Sequence, residues 1–184
     1  MRSNPFLMRT VIIALSSALL FSCGQGKKQE EPEIVTVDVN AKEVYEAAET
    51  KATFDNTHAT ALFQHYIDLK TALVNTDAAT TKAIAQQMAA VTDSLEGMEG
   101  LKEAAVAIAA TDDVEAQREQ FVPLTEGIET LVDKHMESGT IYKQYCPMAF
   151  DFTGGFWLSN SKEIYNPYFG DKMLHCGKVD SEIK

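Results

Sequence analysis

From Leu62 onward, apolar side chains recur every three or four positions. Leu62, Tyr66, Leu69 and Leu73, widened by Phe63, Ile67 and Val74, make one apolar face. That spacing predicts an amphipathic helix, capped by Asp55, Asn56 or Thr57 and ending near Asn75. Asp77 caps the next helix, where Ile84, Met88, Val91 and Leu95 repeat, and Gly97 and Gly100 are expected to stop it. Leu101 to Ala110 is alanine-rich and reads as a short buried helix. Asp112 opens a longer one with Val114, Phe121, Leu124, Ile128, Leu131 and Val132 facing inward. Pro123 lies inside that pattern and removes one backbone donor, so a kink is expected nearby. Upstream, Asn40 and Glu43 suggest a capped short helix over Ala41 to Lys51, preceded by the alternating, extended Ile34 to Val39. Four to five helices with short connections predict a mainly all-α protein, a small antiparallel helical bundle.

After Thr140 the pattern changes. Nine of the chain's sixteen aromatic residues fall between Tyr142 and Phe169, and the alanine periodicity ends. Gly154-Gly155 and Asn166-Pro167 mark turns. The expectation here is an irregular, aromatic-rich C-terminal segment over residues 140–179, within a helical domain spanning 40–184.

The N-terminus reads differently from the rest. Arg2 and Arg9 precede an apolar run from Val11 to Phe21, which is too short to span a bilayer comfortably but suits the core of a secretory signal. The run ends in Leu20-Phe21-Ser22-Cys23, which resembles a bacterial lipobox. It implies a signal peptide over residues 1–22 and lipidation of Cys23, with the anchor held by burial of acyl chains at about 0.8 kcal/mol per CH₂. Residues 23–39 then form a polar tether. The location implied is the bacterial envelope, membrane-anchored, with the outer membrane facing the periplasm as the expected site.

Composition narrows the function classes. The net charge of −11 leaves no general basic face for nucleic acid. Three cysteines are too few for a disulfide scaffold. No Gly-rich phosphate loop, GxSxG elbow or HExxH occurs. Asp151, Glu163 and His175 do not amount to a mechanism, so no enzyme is implied. His58, His65 and His135 read as surface or packing residues, and Met88, Met98 and Met136 as core filler or loop residues.

The tail holds a matched set of sulfur donors, Cys146-Pro147-Met148 and Met173-Leu174-His175-Cys176. Met173 and Cys176 are one helical turn apart, so both can aim the same way. Soft thiolates and thioethers select Cu(I) or Ag(I) over harder ions. If the two segments meet, Cys146, Met148, Met173 and Cys176 surround one point, with His175 as a further ligand. A zinc site from Cys146, Cys176 and His175 lacks a clear fourth ligand and the CxxC spacing. The remaining alternative is a Cys146–Cys176 disulfide in a structural or partner-binding lipoprotein, since two cysteines are left once Cys23 is lipidated.

Several segments together resemble a known bacterial domain. They are Tyr145-Cys146-Pro147-Met148-Ala149, Gly155-Phe156-Trp157-Leu158-Ser159, Glu163 to Gly170 (EIYNPYFG) and Met173-Leu174-His175-Cys176-Gly177. Tyr66 to Val74 is similar to that family's Y-x-x-L-K-x-A-L-V helix, and Gln117 to Thr125 to its Q-R-x-x-F-x-x-L-S segment. The family is the uncharacterised helical domain found in periplasmic lipoproteins and at the C-terminus of copper/silver efflux adaptors of the RND type. The resemblance implies periplasmic copper handling, with an efflux adaptor or other copper-handling envelope protein as partner. No adaptor hairpin or lipoyl-type domain is read in the sequence, so the expectation is a stand-alone lipoprotein rather than the adaptor itself.

Overall fold

The computed structural model describes residues 44–184. The signal peptide, Cys23, the tether and the extended Ile34 to Val39 lie outside the described residues, as does the start of the expected Ala41 to Lys51 helix. The part of that helix within the described range is absent. Residues 44–52 form a strap without regular secondary structure instead. The strap is pinned at Tyr45, whose N–H donates to Asn75 Oδ1 and whose carbonyl accepts from Asn75 Nδ2, each at 2.9 Å. A backbone fixed from both sides by a side chain on another element cannot close helical bonds of its own.

Four helices follow. α1 (Thr57–Val74) starts at Asn56, whose side chain accepts from the His58 and Ala59 N–H groups. α2 (Ala78–Thr92) is capped by Asp77, as its sequence implies. It ends at Asp93, before Gly97, and Gly100 falls inside the first turn of α3 (Glu99–Ala109). α4 (Val114–His135) is capped by Asp113 and runs through Pro123. The helices pack in sequence order, and α4 returns against α1. Short connections make successive helices antiparallel. No helix among the described residues is long and apolar enough to cross a membrane.

Two sheets complete the fold. β1 (Thr53–Phe54) pairs antiparallel with β2 (Met136–Ser138), tying the entry of α1 to the exit of α4. His135, the last residue of α4, places Nδ1 2.8 Å from Asp55 Oδ1 at the same junction. The tail is more regular than its sequence suggested. β3 (Ile141–Cys146), β4 (Gly155–Ser159) and β5 (Lys178–Ile183) form an antiparallel sheet in the order β4-β3-β5. β-branched and aromatic residues supply the strand preference, and β4 buries four of its five residues, which hides the usual alternation.

The bundle and the sheet share one core. Tyr66, fully buried on α1, bonds Thr125 of α4 at 3.0 Å and accepts the Leu158 N–H of β4 at 2.8 Å. The edge of β4 is thereby covered by the bundle. A chain of ring contacts runs from Tyr66 to Phe121 (5.2 Å), Tyr168 (5.8 Å) and Trp157 (5.9 Å). Met88 and Met98 are buried in this core, as expected for filler.

Candidate metal centre

Cys146 is the last residue of β3, and Cys176 lies two residues before β5. Tyr145 pairs with Lys178, so the β3–β5 ladder carries the two cysteines to one place. Their sulfurs are 2.8 Å apart, and both cysteines are free. Cys146 is 0% exposed and belongs to the core, whereas Cys176 is half-buried at its margin.

The motif residues around the pair act as its scaffold. Asn166 is fully buried. Its Nδ2 donates to the Cys176 carbonyl at 2.7 Å, and its N–H donates to the Leu174 carbonyl at 2.8 Å. Its Oδ1 accepts from the N–H groups of Tyr168 and Phe169. One amide therefore clamps the turn that carries Cys176 to the Asn-Pro-Tyr-Phe-Gly loop. The Cys176 N–H closes this turn on the Met173 carbonyl at 3.1 Å. On the other side, buried Gln144 accepts from Trp157 Nε1 at 2.7 Å and donates to the Ser161 and Glu163 carbonyls. Gly177 sits at φ +151°, and a Cβ there would meet the Trp157 ring at 2.8 Å and the Tyr145 carbonyl at 3.1 Å. Only glycine lets this strand entry lie flat against the indole.

The remaining sulfur and nitrogen candidates are placed less uniformly. Met173 is half-buried on the Cys176 turn. Met148, two residues beyond Cys146, is 38% exposed. His175 is exposed, with Nδ1 2.8 Å from the Ile164 carbonyl and its ring against Tyr165. A ring N–H donated to that carbonyl leaves Nε2 as the basic nitrogen. Among the described residues no three His, Cys, Asp or Glu side chains gather as a metal set. A zinc set of Cys146, Cys176 and His175 is therefore not assembled.

The two thiols are electrically linked. The hydrogen bond to Cys146, then burial and then the Cys146 charge push the Cys176 thiol up to about 11. A soft cation bound between the sulfurs stabilises both as thiolates, so uptake of such an ion displaces thiol protons.

Two buried cations escaped the sequence reading. Lys70 lies one turn after Tyr66 on the apolar face of α1, and Arg118 lies three residues before Phe121 on that of α4. A cation in phase with an apolar stripe was the available signal. Arg118 Nε donates to the Pro167 carbonyl at 2.9 Å, Nη2 to the Leu73 carbonyl at 3.1 Å, and Nη1 to Glu115 at 2.9 Å. It joins the end of α1, α4 and the loop that clamps Cys176. Lys70 Nζ bonds Ser159 Oγ at 3.2 Å and lies 5.6 Å from the centre of the Tyr45 ring.

Residues 62–139 match the family described as "Protein of unknown function (DUF3347)". The matched stretch covers most of α1 and all of α2, α3, α4 and β2, and it ends before Cys146. No curated protein and no solved structure matches the chain.

Proposed function

We propose that the Cys146–Cys176 pair binds one soft closed-shell metal ion, Cu(I) or by the same chemistry Ag(I), in a lipid-anchored envelope protein. The observation that supports this is the convergence of two free thiols from segments 30 residues apart to 2.8 Å. Thiolates are the donors such ions prefer, and Met148 and Met173 follow or precede them closely enough in sequence to add thioethers. Trp157, Tyr168 and Cys146 itself close the inner side against water. Cys176 faces the outer side, which suits an ion that is passed on rather than locked in.

A thiolate–zinc bond is about 2.3 Å. With bonds near that length, sulfurs 2.8 Å apart would force a sharply acute angle at the metal. Loading therefore requires the two sulfurs to move apart. Anchorage through Cys23, an outer-membrane position facing the periplasm, and a role in copper buffering, tolerance or transfer to an efflux adaptor or other copper-handling protein belong to this reading. They rest on the lipobox and on the resemblance to the adaptor-associated domain.

Anaerobic titration of the reduced chain against a chromophoric Cu(I) chelator tests the proposal. One equivalent of Cu(I) per chain is expected, abolished in the Cys146→Ser/Cys176→Ser double variant. Met148→Leu and Met173→Leu should lower affinity and leave the stoichiometry unchanged. A reduced chain that takes no stoichiometric Cu(I), or a double variant that still takes it, overturns the reading.

The same 2.8 Å separation favours a second reading, a structural disulfide, since an S–S bond is about 2.05 Å. Closing that loop of about 30 residues would stabilise the fold by roughly 3–4 kcal/mol in the chain-entropy account. Thiol counting on protein alkylated during isolation separates the two. Two free thiols besides Cys23 favour the metal, and none favours the staple.

A further inference from the structure

We propose that Cys146 and Cys176 form a reversible dithiol–disulfide switch that turns the metal site on and off, an inference about regulation that rests on the metal-binding reading of the pair. The geometry fits both states within one fold. The sulfurs already lie 2.8 Å apart, and the ladder that brings them together is the hydrogen-bonded pairing of β3 with β5. Forming the bond moves the sulfurs by less than 1 Å and leaves the sheet, the Asn166 clamp and the Gly177 contact in place. Once each sulfur is bonded to the other, neither has a thiolate to offer a cation.

The pair is also asymmetric in the way a two-step exchange requires. Cys176 is half-buried on the surface turn, and Cys146 is 0% exposed behind it. A small-molecule disulfide, glutathione disulfide being the probe, can reach Cys176 only. In the first step the Cys176 sulfur, losing its proton, bonds one sulfur of the reagent, and the reagent's S–S bond breaks to release one small thiol. In the second step the Cys146 sulfur, losing its proton, attacks the Cys176 sulfur and expels the second small thiol. Two protein thiols and one small disulfide become one protein disulfide and two small thiols. The protein gives up two electrons and two protons, and the reagent takes them. A dithiol reductant reverses the sequence, entering through Cys176 again. Because Cys146 stands in contact with Cys176, the mixed disulfide should not accumulate in the unaltered pair.

The test uses the full chain carrying Cys23→Ser, so that the pair supplies the only thiols. The chain is equilibrated in glutathione buffers of graded oxidising strength, alkylated, and weighed, with Cu(I) uptake read in parallel. Both thiols are expected to disappear together without dimers or mixed disulfide. Cu(I) uptake should be lost in step and restored by dithiothreitol, with the circular dichroism unchanged throughout. Adding Cys146→Ser should trap glutathione on Cys176, whereas adding Cys176→Ser should leave Cys146 unmodified until denaturant is added. Thiols that survive excess glutathione disulfide, a disulfide reducible only after unfolding, or equal glutathione capture by the two single variants would overturn the switch. The thiol count is independent of copper. A pair that oxidises and reduces as described, in a chain that takes no Cu(I) when reduced, retains the switch and overturns the metal reading alone.

Discussion

Arg118→Met is expected to destabilise the protein by about 3 kcal/mol, although methionine fills much of the same space. Arg118 is 1% exposed, and its guanidinium donates to two main-chain carbonyls, to Glu115 and to Thr76 Oγ1. Methionine leaves the Pro167 carbonyl buried without that donor, and an unsatisfied buried group costs about 1–3 kcal/mol. The Leu73 carbonyl keeps the Thr76 N–H, so its loss is smaller. Gly170, at φ +55°, approaches Arg118 so closely that a Cβ there would lie 2.8 Å from Nη2, so the loop loses its packing partner as well. Lysine should not rescue the variant, because a single ammonium cannot reproduce the fork that reaches four acceptors. Urea unfolding should show a lower midpoint at unchanged slope. A variant as stable as the parent would mean that Arg118 is not the tie between helices and loop that its contacts indicate.

Lys70→Met is expected to act in the opposite direction. Burial alone pulls the Lys70 amine down from 10.5 to about 7, and no carboxylate offsets it. The unfolded chain holds the proton below about 10.5, while the folded chain holds it only below about 7. Folding therefore releases a proton in this window, and stability falls as pH drops from 10.5 to 7, then stays level. The full penalty at or below pH 7 is about 5 kcal/mol, at about 1.4 kcal/mol for each pH unit. Methionine removes the charge, and Ser159 Oγ keeps the Ser161 N–H as a partner. The variant should be more stable at pH 7 by several kcal/mol, and the rise in stability of the parent between pH 7 and about 9 should disappear. Tyr45, raised to about 12 by burial and then by Tyr165 and Glu163, has the reverse sign. Its contribution is complete below pH 10 and is lost above it, so it leaves the chosen window clear. Equal slopes in the parent and the variant would contradict this account.

What the sequence made legible follows from the range of the forces involved. Caps and 3.6-residue periodicity are local, and Asn56, Asp77 and the stripe from Leu62 to Leu73 placed α1 and the start of α2 correctly. The strap at residues 44–52 was misread because its conformation is set by Asn75, 30 residues away. The three-stranded sheet was missed because β3 mixes buried and half-buried positions and β4 is buried almost throughout, so neither shows a clear two-residue alternation. Lys70 and Arg118 resisted detection because cations are ordinarily exposed. Here each is held by partners that only the fold supplies. At the candidate site, the paired Cys-Pro-Met and Met-x-x-Cys motifs singled out four sulfurs, and the structure brings two of them, Cys146 and Cys176, together. The depth difference between them, the Asn166 clamp and the exposure of Met148 depend on long-range packing and could not be read from spacing.

The proposed function requires copper to be held by these sulfurs. X-ray absorption at the copper edge, recorded on the reduced chain carrying one equivalent of Cu(I), examines that bond itself. The expected first shell is sulfur alone, from Cys146 and Cys176 with or without a thioether, and it should vanish in the Cys146→Ser/Cys176→Ser variant. A shell of nitrogen or oxygen donors, or a sulfur shell that survives the double substitution, would contradict it.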